Sequence, residues 1–219
     1  MGSLLESLFG SGQSEFLDIC FSELGEMVEQ SAKMYDLALA ALLDNQDLDK
    51  DLEEMDDVVD EKEAEVRRRI VEHLAINPAK DLVATLLLGN MVNDAERLGD
   101  YSRGLAELIP LARSPRQGPF AQRLKDLSSQ LRPLFPRTIE AFKHDHPRQA
   151  QEVMADCRKM KSRFLDYTNE VASSDLSADM AVVYASASRM MRRTSSHLSN
   201  LASAVCLPYH QIRRDDEDA

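Results

Sequence analysis

Carboxylates recur at helical spacing in two stretches of the chain. Asp56, Asp60 and Glu63 are separated by steps of four and three, so an α-helix places all three on one side. Glu96 and Asp100 form a second pair at a step of four. Two antiparallel helices that each present such a pair make an oxygen-rich site for a hard cation. Asp56, Asp60, Glu96 and Asp100 are therefore candidate metal ligands, with Glu63 as a supporting group.

The same acids have a second interpretation as a solvated helix face. Twelve of the 22 positions from Asp44 to Glu65 are Asp or Glu, and charge runs of this kind usually face water. An EF-hand is excluded, because Leu52 and Val58 stand where that loop needs glycine and glutamate. Gly99, inside a helical pattern, costs about 1 kcal/mol relative to alanine. It indicates either close backbone approach beside a site or tight packing at a helix crossing.

Apolar residues recur every three or four positions along most of the chain, which predicts an all-α protein. A segment containing Pro and Gly at 109–119 separates two sets of three helices, the fourth helix covering about 119–144. Short connections make consecutive helices antiparallel, so each set is predicted to form a three-helix bundle. The predicted units are a first bundle at 12–112, a second at 117–207 and a polar, acidic tail at 208–219.

The charge and cysteine content exclude several classes of protein. The chain has 26 basic and 38 acidic residues, a formal net charge of −12, which is unsuited to binding nucleic acid. No apolar run approaches the roughly 20 residues of a membrane span, and we expect no signal peptide. Cys20, Cys157 and Cys206 are scattered, as is typical of reduced cytosolic thiols.

The segment Glu96-Arg97-Leu98-Gly99-Asp100 resembles the E-R-[IL]-G-D signature of the PhoU family, the phosphate-uptake regulators. Upstream, Asp56-x-x-x-Asp60 is similar to that family's D/E-x-x-x-D element, and the resemblance covers about residues 12–207. It implies two repeated three-helix bundles, the layout already predicted. It also implies a metal ion at the carboxylates, either Mg, Mn, Fe or Zn. Arg97 either pairs with those carboxylates or contacts a partner.

The second half departs from the family pattern. Residues 192–200 are similar to the second family stretch, E-R-x-x-D-H-x-x-N, and match it at Arg193, His197 and Asn200. Arg192 and Ser196 stand where that stretch has Glu and Asp, and Met160 replaces an acid next to the matching Asp156. No second metal site is predicted. Asp156, Cys157 and His197 form either a weak remnant of one or a plain helix pair with a satisfied histidine.

The resemblance implies a non-enzymatic, cytoplasmic regulator of phosphate uptake and phosphate-starvation signalling. Its expected partners are the ATPase subunit of a phosphate ABC transporter and a sensor histidine kinase, with homodimer formation and peripheral association at the inner face of the membrane. An accessory subunit of a sodium-coupled or low-affinity phosphate carrier is the alternative within the family. A carboxylate-bridged metalloenzyme is the alternative from another class, although the E-x-x-H of di-iron bundles is missing. A plain helical scaffold is the third.

Overall fold

The computed structural model describes residues 15–48 and 51–212, and within these ranges the chain is helical without strands. Its α-helices are α1 Glu15–Leu43, α2 Leu52–Ile76, α3 Leu82–Glu107, α4 Pro119–Leu131, α5 Leu134–Lys143, α6 Pro147–Ala172 and α7 Ala178–Cys206. Short 3-10 turns, Ile109–Leu111 and Tyr209–Gln211, follow α3 and α7. The predicted all-α fold of two antiparallel three-helix bundles is confirmed.

The fourth predicted helix is observed as two segments, α4 and α5, that together take its place. Pro133 stands between them, and proline has no N–H to donate and crowds the carbonyl one turn back. Two backbone hydrogen bonds carry the chain across the break: Phe135 N donates to Arg132 O at 3.3 Å, and Arg137 N donates to Pro133 O at 3.4 Å. The helix is therefore interrupted while the chain continues in helical form.

One hydrophobic core runs through both halves. Helices α1, α2 and α3 pack together, as do α4–α5, α6 and α7, and the halves meet where α3 packs on α7 and α1 on α5. The largest fully buried side chains include aromatic residues from both halves: Tyr35, Phe135, Phe164, Tyr167 and Tyr184. None of the described helices is long and apolar enough to cross a membrane.

The segment between the two halves is fastened to the end of α1. Arg116 donates from Nε to Leu42 O and from Nη2 to Ala41 O, both at 2.7 Å. These carbonyls belong to the last turn of α1, where no later residue of the helix supplies an N–H group to bond them. The Asn45 side chain also bonds to the Arg116 backbone, accepting from its N at 2.9 Å and donating to its O at 3.1 Å.

The ends of the predicted units extend past the described ranges. Residues 12–14 of the first unit and 213–219 of the acidic tail lie outside them. The described start of that tail is the turn Tyr209–Gln211, where the Tyr209 hydroxyl accepts a hydrogen bond from Asn90 Nδ2 at 3.4 Å. The first described residues after the tail boundary are therefore attached to α3. The unit boundaries themselves stay predictions.

Candidate functional site

The carboxylates predicted as metal ligands lie on α2 and α3, which pack against each other. Asp60 and Asp100 act electrostatically on Asp56, and Glu63 and Asp100 act on Glu96. The structure thus brings these five acids together in what we call the acidic groove, made of Asp56, Asp60, Glu63, Glu96 and Asp100. Asp56 is buried and Asp60 is exposed.

Gly99 gives α3 its close approach to α2. A Cβ atom built at this position would lie 2.6 Å from Asp56 Oδ1 and 3.6 Å from both Ser31 Oγ and Val59 Cγ1. Real Cβ contacts are not this short, so any larger residue would displace the Asp56 carboxylate. A glycine is therefore required inside α3 at this point, because only a residue without a Cβ leaves room for the buried Asp56 carboxylate.

We expect Gly99→Ala to destabilise the fold by about 1–2 kcal/mol, since overpacking against a buried ion pair outweighs the gain in helix propensity. Gly89→Ala on the same helix is the matched control, because its Cβ would meet only Ile70 Cδ1 at 3.9 Å. That control is expected to gain up to about 1 kcal/mol. Urea unfolding of both variants measures the difference, and equal stabilities would contradict this account of Gly99.

Glu96 carries the largest electrostatic perturbation in the groove. Burial, the neighbouring Asp100 carboxylate and Glu63 raise the pKa of Glu96 from 4.5 to about 7, although Arg97 acts in the opposite direction. Burial likewise raises the pKa of Asp56, which the Arg103 guanidinium counteracts. Burial, and to a smaller extent the neighbouring acids, therefore disfavours the ionised form of both carboxylates, and a proton or a nearby cation offsets this effect.

Two arginines of α3 are the immediate charge partners of these acids. Arg103 Nε donates to Asp56 Oδ2 at 2.7 Å, and Arg97 Nη1 donates to Asp100 Oδ2 at 2.6 Å. Arg97 Nε also lies 3.4 Å from Glu96 Oε2. Across residues 15–48 and 51–212, no three His, Cys, Asp or Glu side chains are placed as a metal-binding group. The metal ligation predicted from the sequence stays a prediction.

The predicted second-half residues are not gathered into a comparable groove. Asp156 accepts from Arg137 Nη1 at 2.8 Å and from Lys159 Nζ at 3.2 Å, and these cations hold the pKa of its carboxyl below the usual value. Cys157 is buried in the core, and burial raises the pKa of its thiol to about 12. Asp156 and His197 bind different partners, since His197 forms its hydrogen bond with Asp94.

The sequence profile of the PhoU domain matches residues 24–109, a range that contains every residue of the acidic groove. A phosphate-specific transport system accessory protein, PhoU homolog 1 of Thermotoga maritima, is 24% identical over 208 residues, covering 91% of this chain and 84% of that protein. The chain therefore carries a PhoU domain at residues 24–109.

Two solved PhoU structures have the same fold. PhoU from Pseudomonas aeruginosa superposes with a TM-score of 0.79 at 21% identity, covering 91% of this chain and 98% of that one. The phosphate transport system regulatory protein PhoU from Streptococcus pneumoniae gives a TM-score of 0.77 at 13% identity, covering 91% and 95%. Both halves of this chain therefore have the PhoU fold.

A buried polar cluster at the crossing of α3 and α7 was missed by the sequence analysis. Asp94 is 2% exposed, and its Oδ1 accepts from His197 Nδ1 at 2.8 Å and from Asn200 Nδ2 at 3.2 Å. The Tyr101 ring lies beside the imidazole of His197, with centroids 5.6 Å apart. Asp94 thus joins the two halves of the PhoU fold. The sequence did contain one indication of this cluster: Asp94 lies three residues after Met91, on the apolar side of α3, where an acid must find a buried partner.

The two halves meet through equivalent positions of the repeat. A shift of 96 residues (197 − 101) relates the first PhoU motif to the second and pairs Arg97 with Arg193, Tyr101 with His197 and Gly104 with Asn200. Across the crossing, Asp94 contacts Asn200, while Met190 Cε lies 3.2 Å from a Cβ built on Gly104. Met190 is the equivalent of Asp94, and Asn200 is the equivalent of Gly104, so the two contacts join the same pair of repeat positions in opposite directions. The crossing of α3 and α7 therefore has approximate two-fold symmetry.

The raised pKa of Glu96 gives a pH-dependent expectation. The folded chain holds this proton to about pH 7, whereas the unfolded chain releases it near 4.5. The folded state binds more protons in that window, so the contribution of Glu96 to stability falls as the pH rises through it. Glu96→Gln does not ionise, and we expect it to lose less stability than wild type between about pH 5 and pH 8. Urea unfolding across that range tests this, and parallel curves would contradict it.

Proposed function

We propose that this protein is a non-enzymatic regulator of phosphate transport that acts in the cytoplasm at the inner face of the membrane. The observation that carries the proposal is the extent of the similarity to the Thermotoga accessory protein, which covers 91% of this chain and 84% of that protein. Both repeats are therefore retained, together with the acidic groove of the first. A regulator of this kind works by presenting surfaces, and it needs no catalytic group.

The partners in this proposal are the ATPase subunit of a phosphate ABC transporter and a membrane sensor histidine kinase. The acidic groove is the surface proposed to face them, because Asp60 and Arg97 are exposed. Exposed charges of this kind steer association and select partners more than they add affinity. A homodimer that presents two such grooves fits the same role.

A metal ion is proposed at the acidic groove, held by Asp56, Asp60, Glu96 and Asp100, with Glu63 as a supporting group. A hard cation such as Mg²⁺ or Mn²⁺ suits this set, because all the donors are carboxylate oxygens. A bound cation would also favour the ionised form of Glu96, whose pKa is raised to about 7 by burial and by Asp100. Binding would require Arg97 to release Asp100. The cation would clamp α2 to α3 and fix the shape of the docking surface.

The second candidate is an accessory subunit of a sodium-coupled or low-affinity phosphate carrier. It is favoured by the second repeat, where Arg192 and Ser196 replace the acids of the family stretch. A chain with one acidic groove instead of two presents a different surface to its partner. Neighbouring genes would discriminate, since transporter-ATPase and response-regulator genes favour the first candidate and a lone carrier gene the second.

Affinity capture from membranes tests the proposed partners. Tagged wild-type protein is compared with Asp60→Ala/Glu96→Ala, and with Glu54→Ala/Asp57→Ala as the matched control of exposed acids on α2. We expect mass spectrometry to identify the transporter ATPase or the kinase with wild type and the control, and several-fold less with the groove variant. Recovery of neither protein with wild type would contradict the proposal.

A further inference from the structure

Two adjoining grooves flank α7 in the second half. One, of about 250 Å³, is lined by Tyr101, Ser186, Arg189, Met190 and Arg193. The other, of about 330 Å³, is lined by Leu165, Thr168, Ala185, Ser186, Arg189 and Arg192. Ser186 and Arg189 belong to both grooves. We call the pair the basic groove, defined by Ser186, Arg189, Arg192 and Arg193.

Among the described residues, the three arginines of the basic groove have no acidic partner. Across residues 15–48 and 51–212, no carboxylate forms an ion pair with Arg189, Arg192 or Arg193. Other arginines are paired with acids, as Arg97 is with Asp100, Arg103 with Asp56, Arg132 with Asp36 and Arg137 with Asp156. Three guanidinium groups within two helical turns repel one another, so an anion placed among them is stabilised.

The repeat explains how these arginines came to be unpaired. The 96-residue shift places Arg193 at the position of Arg97, whose partners are Asp100 and Glu96. In the second half those two partners are replaced by Ser196 and Arg192, and Arg189 stands where the first half has Asn93. Four equivalent positions thus carry two acids and one arginine in the first half, against three arginines in the second.

We infer that the basic groove binds an anion that carries two phosphoryl groups. A guanidinium donates two parallel hydrogen bonds to a phosphoryl group, a geometry that a lysine cannot offer. Arg189 and Arg193 line one of the grooves and Arg189 and Arg192 the other, so three guanidinium groups border the two grooves and Arg189 is common to both. Ser186 also lines both grooves and adds a hydroxyl-bearing side chain. This inference does not depend on the regulatory role proposed above.

Calorimetric titration with pyrophosphate at fixed ionic strength tests the inference. We expect saturable binding to wild type, at least tenfold weaker binding to Arg192→Gln/Arg193→Gln, and weaker binding of orthophosphate than of pyrophosphate. Arg148→Gln is the matched control, because Arg148 is an exposed arginine of α6 outside the groove, with its side chain 94% exposed. Its affinity is expected to stay within twofold of wild type. Unchanged melting curves establish that the variants fold.

Several results would overturn the inference. These are the absence of saturable pyrophosphate binding, equal affinity of wild type and the double variant, equal affinity for orthophosphate, or loss of binding in Arg148→Gln. Displacement of pyrophosphate by polyglutamate at equal charge would also overturn it, in favour of an acidic protein segment.

The source of the phosphoryl groups is distinguished by competition. Displacement by ADP supports the inference with a soluble nucleotide as the source. Displacement by vesicles that contain phosphatidylinositol 4-phosphate, whose headgroup carries two phosphate groups, with no effect of phosphatidylcholine vesicles, supports it with a lipid headgroup as the source. Both results are expected to require Arg192 and Arg193.

Discussion

Replacing Asp94 with alanine is expected to destabilise the protein by about 2–4 kcal/mol, because it leaves buried polar groups without a partner. His197 and Asn200 both donate to Asp94 Oδ1, at 2.8 Å and 3.2 Å, and Asn200 is 7% exposed. They lie where α3 crosses α7, so the loss also weakens the contact between the two halves. Urea unfolding followed by circular dichroism measures the effect.

Two further variants separate the hydrogen bonds of Asp94 from the size of its side chain. Asp94→Asn keeps an oxygen that accepts both hydrogen bonds but loses the negative charge that strengthens them, and we expect it to cost about half as much as Asp94→Ala. Asp57→Ala removes an exposed acid of α2 and is expected to stay within about 0.5 kcal/mol of wild type. A loss below about 1 kcal/mol in Asp94→Ala would show that the cluster contributes little.

Addition of Mn²⁺ or Mg²⁺ is expected to raise the melting temperature by about 5–10 °C, the effect of a ligand at about one hundred times its Kd on a chain of this size. The cation would replace the excess proton at Glu96 and bridge α2 to α3. Asp60→Asn/Glu96→Gln removes two of the proposed ligand charges, and we expect it to abolish the rise. Differential scanning fluorimetry with and without the metal measures it.

The matched control for the metal experiment uses two exposed acids of α2 that do not belong to the acidic groove. Glu54→Gln/Asp57→Asn also removes two negative charges but leaves the acidic groove unchanged. We expect the metal to raise the melting temperature of this variant as it does for wild type. Elemental analysis of protein purified without chelator gives an independent measurement. A rise of the same size in both double variants would assign the effect to general acidity and exclude the groove as the site.

Local sequence periodicity was enough to predict the helices and the convergence of the acids. A step of four puts Asp56 and Asp60 on one side of α2. The Gly inside α3 was consistent with either close approach beside a site or tight packing, and the structure shows the close approach at Asp56. Spacing along one helix is a local property, and short connections between α2 and α3 leave few ways to arrange them. The acidic groove therefore followed from residues less than 50 positions apart.

The contacts between the halves were beyond such reasoning, because they depend on how one bundle is rotated against the other. Asp94 meets His197 across 103 positions, and nothing local marks either as the partner of the other. Arg103 was missed for a related reason, since which arginine reaches the buried Asp56 depends on the rotation of α3. The sequence did show that Arg192 had replaced an acid, but only the packing of α6 and α7 revealed the groove beside it.

Phosphate uptake by cells that lack this gene tests the central claim most directly. Uptake of radiolabelled phosphate and a phosphate-starvation reporter are measured in phosphate-replete medium, with wild type, Asp60→Ala/Glu96→Ala or Glu54→Ala/Asp57→Ala supplied on a plasmid. We expect deletion to raise both readouts several-fold. Wild type and the exposed-acid variant are expected to restore them, and the groove variant to fail while being expressed and folded. Unchanged uptake and reporter activity on deletion would contradict the assignment of this protein as a regulator of phosphate transport.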